Sequence, residues 1–352
     1  MGYQLERKRD ALVDWREVGS TPSAGPGEIV ARIDLAALTS NNITYAVFGR
    51  PPLSYWNFFP AADEAWGVVP VWGYATVIES RSEHVAEGSK LFGYWPSATH
   101  LKMLPGNPRP GGFVDMSPHR QGLSPVYNSY RLTDDPPELE PLVALFQPLY
   151  GTGYVLAGSL AAEAASGAPI IFTSASSKTA LATAFNLGKA GANVIGLTSA
   201  GNKAFVEQTG FYRQVLTYDE IDELAPGTDA VVIDFSGNAA LKKQLHQTLV
   251  GMASSIAVGV TDWEALQPPD AEPLPGPQPS FFFAPTLWEE QARTLGPAKF
   301  EANLASSMRQ FLETTPRWLR VEEVRGVDGY AQAFGKLMQN RSPANTGIVW
   351  KP

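Results

Sequence analysis

Residues 166–202 read SGAPIIFTSASSKTALATAFNLGKAGANVIGLTSAGN: a short apolar run, a turn of small residues, apolar positions at helical spacing, and a second apolar run. That order specifies strand, helix and parallel strand, because two parallel strands need a crossover and a helix is the usual one. A βαβ unit that opens on a small-residue turn has the layout of a dinucleotide site, where a pyrophosphate sits over the helix N-terminus. Here Ser174-Ala175-Ser176-Ser177-Lys178-Thr179-Ala180 stands where a G-x-G-x-x-G loop is expected, and it contains no glycine. The fold is therefore easier to read than the chemistry.

The same texture extends on both sides. Residues 139–160 have helical spacing, and strand candidates at 170–173, 194–198, 214–217, 230–235, 255–260 and 280–283 alternate with helices, which predicts a doubly wound parallel sheet. A helical pattern at 287–312 follows, then strand-like runs at 318–324 and 347–350 with a helix between them. Upstream, β-like runs at 28–33, 74–78 and 90–94 are separated by turn signals. Residues 96–137 form a Pro/Gly-rich excursion too long for an idle connection, read as an ordered lobe or a lid. The expected organisation is a β domain over 1–138, an α/β domain over 139–312 and a return to the first domain over 313–352.

Composition narrows the partners. With 352 residues, 44% of them hydrophobic, the chain has room for two domains with sizeable cores. A net charge of -8 without clustered Lys and Arg disfavours a nucleic-acid backbone and leaves a small molecule as the expected partner. There is no cysteine, so disulfides, thiol nucleophiles and thiolate zinc sites are excluded. The first ten residues, MGYQLERKRD, lack the apolar core of a secretory leader, and no apolar run approaches the roughly 20 residues of a membrane span. A cytoplasmic protein is the default expectation.

Several segments together resemble the medium-chain dehydrogenase/reductase superfamily over nearly the full length. GEIVARIDLAALTSNN is similar to its first strand and following turn, EGSKLFGYWP to its "VGDRVFG" strand, and FQPLYGTGYVLAGS to its interdomain helix. TDAVVIDFSGNAAL is similar to its "DVVFDSVGG" strand and turn, and ANTGIVWKP to its closing "GKVVL-P". The glycine-free SASSKTA turn and the aromatic-rich N-terminal half look most like the DUF2855 branch. The resemblance implies a GroES-like β domain plus a Rossmann domain. Where zinc-containing members carry a GHE motif, this chain has Pro70-Val71-Trp72-Gly73-Tyr74, and its histidines (His84, His100, His119 and His246) show no ligand spacing. The resemblance is thus to the zinc-free quinone and enoyl reductases.

Candidate site residues follow. Ser174, Ser176, Ser177 and Thr179 would line the phosphate turn. Lys178 is unusual, because a cation in the first turn of a helix is disfavoured by about 0.3–1 kcal/mol unless an anion is near. It signals either a bound phosphate or carboxylate, or a side chain that simply points to solvent. At the end of the second strand, Thr198-Ser199-Ala200-Gly201-Asn202-Lys203 lacks the carboxylate that accepts from an NAD ribose, so NADP(H) is favoured. The alternative reading of these residues is that they are ordinary N-cap residues opening the next helix. The resemblance puts Tyr218 near the adenine and Thr152 near the nicotinamide, and Phe235 and Ser236 end a strand at the ligand edge of the sheet. In Asn41-Asn42-Ile43-Thr44-Tyr45, similar to the superfamily's "N-P-x-D" turn, Asn42 replaces the usual Asp. Tyr45 would meet a substrate oxygen, or be a buried aromatic with a satisfied hydroxyl. Tyr55, Trp56, Phe58, Phe59, Trp66, Trp72, Tyr94 and Trp95 suggest a roomy apolar pocket.

These features imply a zinc-independent, NADPH-dependent oxidoreductase that reduces an activated alkene, quinone or carbonyl of an apolar substrate. Two other classes stay open: a lyase, hydrolase or isomerase using Lys178 and the serines, and a non-catalytic nucleotide-binding protein. A homodimer is expected through the edge strand around 280–283, whose Phe281-Phe282-Phe283 run would otherwise be an exposed apolar edge.

Overall fold

The computed structural model describes residues 2–51, 53–109, 111–224, 229–258, 273–282 and 284–352. The chain divides into two compact units, one of residues 1–145 and 321–352 and the other of 146–320.

The first unit begins with β1 (Tyr3–Lys8) and β2 (Ala11–Gly19), an antiparallel pair. Then come β3 (Ile29–Leu38), α1 (Ser40–Val47), β4 (Trp66–Gly67), β5 (Pro70–Ser80) and β6 (Lys90–Pro96). β3, β5 and β6 pair antiparallel in that order, their inward side chains Ile29, Ile33, Val71, Ala75, Val77 and Leu91 joining one buried core. A Cβ at Gly73 would lie 2.0 Å from the Leu35 carbonyl oxygen, beside the register shift between Ile33 and Leu35, so only glycine fits at this irregularity.

The Pro/Gly-rich excursion is ordered and belongs to the same sheet. It contributes β7 (His100–Met103), β8 (Pro105–Arg109), β9 (Gly112–Asp115), the short α2 (Pro125–Asn128) and β10 (Ser129–Leu132). β7 pairs with β3, while β10, β9 and β8 extend the sheet outward from β6. A fully buried ion pair fixes it from inside: Arg120 Nε lies 3.2 Å from an Asp115 carboxylate oxygen, and Arg120 Nη1 donates to Tyr130 Oη at 3.0 Å. The sheet ladder and this buried pair make it a lobe, not a lid.

The chain enters the second unit along α3 (Glu140–Ser159), which runs through Pro148. After α4 (Ala161–Ser166) come β11 (Ile170–Phe172), α5 (Lys178–Lys189), β12 (Val194–Thr198), α6 (Lys203–Thr209), β13 (Gln214–Thr217), β14 (Val231–Asp234), α7 (Ala239–Thr248), β15 (Ser254–Ala257) and β16 (Ser280–Phe281). All of these strands pair parallel, in the order β13-β12-β11-β14-β15-β16. Counted within the unit, that is the 3-2-1-4-5-6 order of a Rossmann sheet. β11, β12 and β14 are buried along their whole lengths, as strands covered by helices on both faces must be.

The helical pattern at 287–312 resolves into two helices, α8 (Ala284–Leu295) and α9 (Pro297–Leu312). Gly296, at φ +85°, breaks the run, and Pro297 starts the second helix where its missing N–H costs nothing. The C-terminal boundary also differs from the expected 312/313. Trp318 packs with ring centroids 5.8 Å from Phe311 and 5.9 Å from Phe146, so the chain leaves the second unit only after Arg320. It then forms β17 (Arg320–Arg325), α10 (Gly326–Met338) and β18 (Thr346–Lys351), the last antiparallel to β3. The tail of the expected strand at 255–260 and Phe283 lie outside the described residues.

Candidate nucleotide-binding site and aromatic cluster

β11 ends between β12 and β14, where the strand order reverses and a doubly wound sheet opens a crevice at its carboxyl edge. The turn that leaves β11 has the backbone of a glycine loop without the glycine. Ser174 adopts φ +48°, in the left-handed region that a non-glycine residue enters at a cost of about 1 kcal/mol. The Ser174 carbonyl accepts from Ser177 N at 2.8 Å, and Ala175 N donates to the Leu197 carbonyl at 3.0 Å, which pins the turn to β12. Tyr212 Oη donates to the Ala175 carbonyl at 2.8 Å. A Cβ on Gly196 would come within 2.9 Å of the Ala175 Cβ, so the close approach of turn and sheet is provided by a glycine on β12.

Ser177 caps α5, its hydroxyl accepting from Ala180 N at 3.3 Å. The backbone N–H groups of Ser176, Lys178 and Thr179 have no acceptor among the described residues, leaving a cluster of donors at the positive end of a 12-residue helix. Lys178 is partly exposed and makes no ion pair or hydrogen bond among the described residues. Desolvation by the surrounding chain pushes its pKa down to about 8. Ser176 Oγ accepts from Asn202 Nδ2 at 3.3 Å, joining the turn to the end of β12. Tyr218 Oη accepts from Ser174 N at 3.3 Å, and burial raises its pKa. Thr152 lies partly buried on α3, one residue from Gly153, where a Cβ would meet Thr183 N at 2.9 Å and Thr179 O at 3.0 Å, so α3 and α5 cross closely.

Three expected contacts are used differently. Lys203, expected to face a 2′-phosphate freely, binds both Glu220 carboxylate oxygens at 2.9 and 2.7 Å. That ion pair raises the Lys203 pKa and lowers that of Glu220. Phe235 is a core residue, 2% exposed and 5.1 Å from the Phe172 ring. The Ser236 hydroxyl is spent inside the fold, donating to Asp234 Oδ1 at 2.8 Å and accepting from Asn238 N at 3.1 Å. Ser199 is exposed at the start of a 3₁₀ turn without a side-chain cap bond, and Asn202 likewise opens α6 without one.

Sequence reasoning passed over the pair that shapes the switch point. Thr173 Oγ1 donates to Asp234 Oδ1 at 2.7 Å and accepts from Phe235 N at 2.9 Å. The same Asp234 oxygen accepts from Ser236 N and Gly237 N at 3.0 and 3.1 Å, and Lys242 Nζ lies 3.6 Å from the other. Glu220 was legible, because Thr217-x-x-Glu220 is the sequence signature of a capping box.

In the first unit, Asn42 is a structural tie. Its Oδ1 accepts from Thr39 N at 2.7 Å, capping α1, and its Nδ2 donates one N–H to the Pro70 carbonyl at 2.8 Å, so both ends of this buried amide serve the fold. Tyr45 is 3% exposed, and its hydroxyl accepts from Asn41 Nδ2 at 2.8 Å and from Trp72 Nε1 at 3.0 Å. Burial drives its pKa far above the ordinary tyrosine value. The aromatic rings pack on one another: Tyr45, Tyr55, Phe58 and Tyr94 surround Tyr127, the centroid distances from its ring running from 4.7 to 6.2 Å. Trp56 and Trp95 belong to the main core of the unit. The partly exposed rings packed on this cluster are Phe48, Trp72 and Tyr127. Among the described residues no group of three His, Asp or Glu side chains is placed to hold a metal ion.

Comparison with known proteins agrees with this architecture. CurA from Vibrio vulnificus, solved in complex with NADPH, superimposes with a TM-score of 0.66 at 12% identity, covering 99% of this chain and 98% of that one. The CurK enoyl reductase gives 0.60 at 14% identity and 99% of each chain. The quinone oxidoreductase from Coxiella burnetii gives 0.57 at 13% identity, with 100% and 99% covered. At such identities the likeness establishes the fold, a GroES-like unit with a Rossmann unit. No curated protein matches the chain in sequence. The sequence profile of one family, described as "Protein of unknown function (DUF2855)", matches residues 36–343, and the chain belongs to that family.

Proposed function

We propose that the protein is a zinc-independent, NADPH-dependent oxidoreductase acting on an activated alkene, quinone or carbonyl. The observation that carries this is the turn after β11: a left-handed Ser174 at the switch point of a 3-2-1-4-5-6 sheet, followed by unpaired N–H groups at the α5 N-terminus. Such donors fit a pyrophosphate, and the residues present fit a dinucleotide without glycine because Gly196 supplies the close approach from the other side. NADP(H) is the form proposed. No carboxylate ends β12, and Ser199, Asn202 and Lys203 lie there, Lys203 being supplied once a 2′-phosphate competes with Glu220. The fold likeness to CurA, solved with NADPH, supports the same choice.

Bound NADPH would supply the hydride. The protein's part is then to bind, orient and exclude water, with Ser176, Ser177 and Thr179 at the phosphates, Thr198 and Ser199 at the adenosine ribose, Tyr218 beside the adenine and Thr152 toward the nicotinamide. Zinc independence is supported by the donor set: there is no cysteine, and Trp72 stands in β5 where a metal-binding motif would stand. The rings of Trp72 and Tyr127 offer a flat conjugated substrate an apolar face. The test is consumption of NADPH with a panel of enones, quinones and ketones. Turnover with at least one class supports the proposal, and none with any class contradicts it.

A homodimer is proposed through β16, the outermost strand of its sheet, where Phe281 is 67% exposed. Light scattering of wild type and Phe281→Lys tests it: a wild-type dimer that the substitution dissociates is expected, and a wild-type monomer contradicts it. The cytoplasm is the proposed compartment; among the described residues no helix is long and apolar enough to cross a membrane.

A further inference from the structure

Arg7 of β1 is a buried cation for which the fold supplies no counter-charge. The residue is 3% exposed, and its guanidinium carbon lies 4.0 Å from the centroid of the Phe334 ring and 5.7 Å from that of Tyr330, both on α10. No carboxylate of the described residues comes within ion-pair distance of it. Burial lowers its pKa, and what opposes that shift is the Tyr330 hydroxyl. Arg120, the other buried arginine among the described residues, has the Asp115 carboxylate 3.2 Å from its Nε. Buried charges are ordinarily paired, so Arg7 is the exception.

The two unpaired nitrogens share one edge. Arg7 Nη1 donates to the Leu12 carbonyl at 3.0 Å, while Nε and Nη2 are buried without a hydrogen-bond partner. Those two N–H groups point the same way, in the fork that matches a carboxylate. The chain uses this edge for carboxylates elsewhere: Arg16 holds a Glu6 oxygen through Nε at 2.8 Å and Nη2 at 2.6 Å, and Arg32 holds an Asp34 oxygen at 3.0 and 2.9 Å. Stacking on Phe334 takes a face of the guanidinium and leaves its edge to an anion. The hairpin is also irregular beside it. Trp15 pairs with Arg7 and Ala11 with Lys8, so Leu12, Val13 and Asp14 stand outside the ladder, and Val13 is 69% exposed.

We infer that the Nε–Nη2 edge of Arg7, under the Leu12–Asp14 bulge and beside the Tyr330 hydroxyl, is a binding site for a small monocarboxylate the size of formate or acetate. The ligand enters as the bulge opens, a movement limited to three residues outside the ladder. Once bound, it neutralises the charge that packing of α10 on β1 buries, and so ties the β1–β2 hairpin to α10. The site lies wholly within the first unit and stands apart from the dinucleotide site and from the reductase proposal.

Denaturant unfolding of the full chain in sodium formate, sodium acetate and sodium chloride at equal ionic strength, joined to amide hydrogen exchange across residues 11–16, tests the site. Formate or acetate is expected to raise the unfolding midpoint saturably and to slow exchange at 11–16 about threefold or more, with chloride doing neither. Arg7→Met keeps an unbranched stem on Phe334 and removes the fork, so it should abolish both effects. Arg7→Lys keeps the charge without the fork and should lose most of both. If Arg7→Met does not fold, wild-type exchange in formate against chloride gives the answer alone. The inference is overturned if neither carboxylate protects 11–16 in the wild-type protein, if chloride protects them equally, or if a folded Arg7→Met keeps the response.

Discussion

The ammonium of Lys203 and the carboxylate of Glu220 are locked together at 2.9 and 2.7 Å at the place where an adenosine 2′-phosphate would be recognised. Glu220 also accepts from Thr217 N at 2.7 Å, so it serves the backbone as well as the lysine. Glu220→Gln keeps the capping bond, because Gln can fill the same box position, and removes only the charge. NADPH affinity is therefore expected to rise about two- to fivefold, the scale of an exposed ion pair, with NADH affinity unchanged. Parallel titrations of both nucleotides check it. An equal gain for NADH would show that Lys203 does not meet the 2′-phosphate.

Lys178 links the site to pH with two opposite signs. Its pKa falls from 10.5 to about 8 on folding, so between those values the folded protein holds fewer protons than the unfolded chain. Stability of the free protein should accordingly rise as pH increases across that window. Affinity for a diphosphate should instead fall as pH rises through about 8, because the ammonium is lost. Denaturant melts and ADP titrations at a series of pH values measure the two slopes, and Lys178→Met should flatten both.

Thr173 and Asp234 hold β11 to β14 at the mouth of the crevice. Asp234→Ala strands the donors of Thr173, Ser236 and Gly237 inside the fold, with Lys242 left without its carboxylate. A loss of about 3–5 kcal/mol in unfolding free energy is expected, the range for breaking a buried charged network. Thr173→Val should cost less, about 1–3 kcal/mol. Chemical denaturation of each variant checks the order.

The Rossmann strands were legible because buried parallel strands are written as unbroken apolar runs, such as Ile170–Phe172 and Val231–Ile233. The left-handed residue at Ser174 was not legible, since serine does not announce φ +48° as a glycine would. Nor could sequence place Asn42, whose side chain bonds a carbonyl 28 positions away, or show that Lys203 is matched by Glu220, 17 positions on. The aromatic density of the N-terminal half was visible, but whether rings line a space or fill it is decided by packing between segments as distant as Tyr45 and Tyr127. Gly296-Pro297, by contrast, was a readable stop inside the helical run at 287–312.

Tyr45 separates a structural hydroxyl from a chemical one. Tyr45→Phe removes the acceptor shared by Asn41 and Trp72, so a loss of about 1–3 kcal/mol in stability is expected whatever its role. Burial at 3% exposure and a strongly raised pKa make proton donation slow in this conformation, so NADPH turnover should fall less than tenfold. Steady-state rates of Tyr45→Phe beside its melting curve measure both. A loss of 100-fold or more, on the scale of general acid catalysis, would restore Tyr45 as the proton donor.

Calorimetric titration of the purified protein with NADPH and NADH in parallel bears most directly on the claim that this glycine-free turn is a working dinucleotide site. Expected is micromolar binding of NADPH with NADH clearly weaker. Absence of binding by both nucleotides would contradict it.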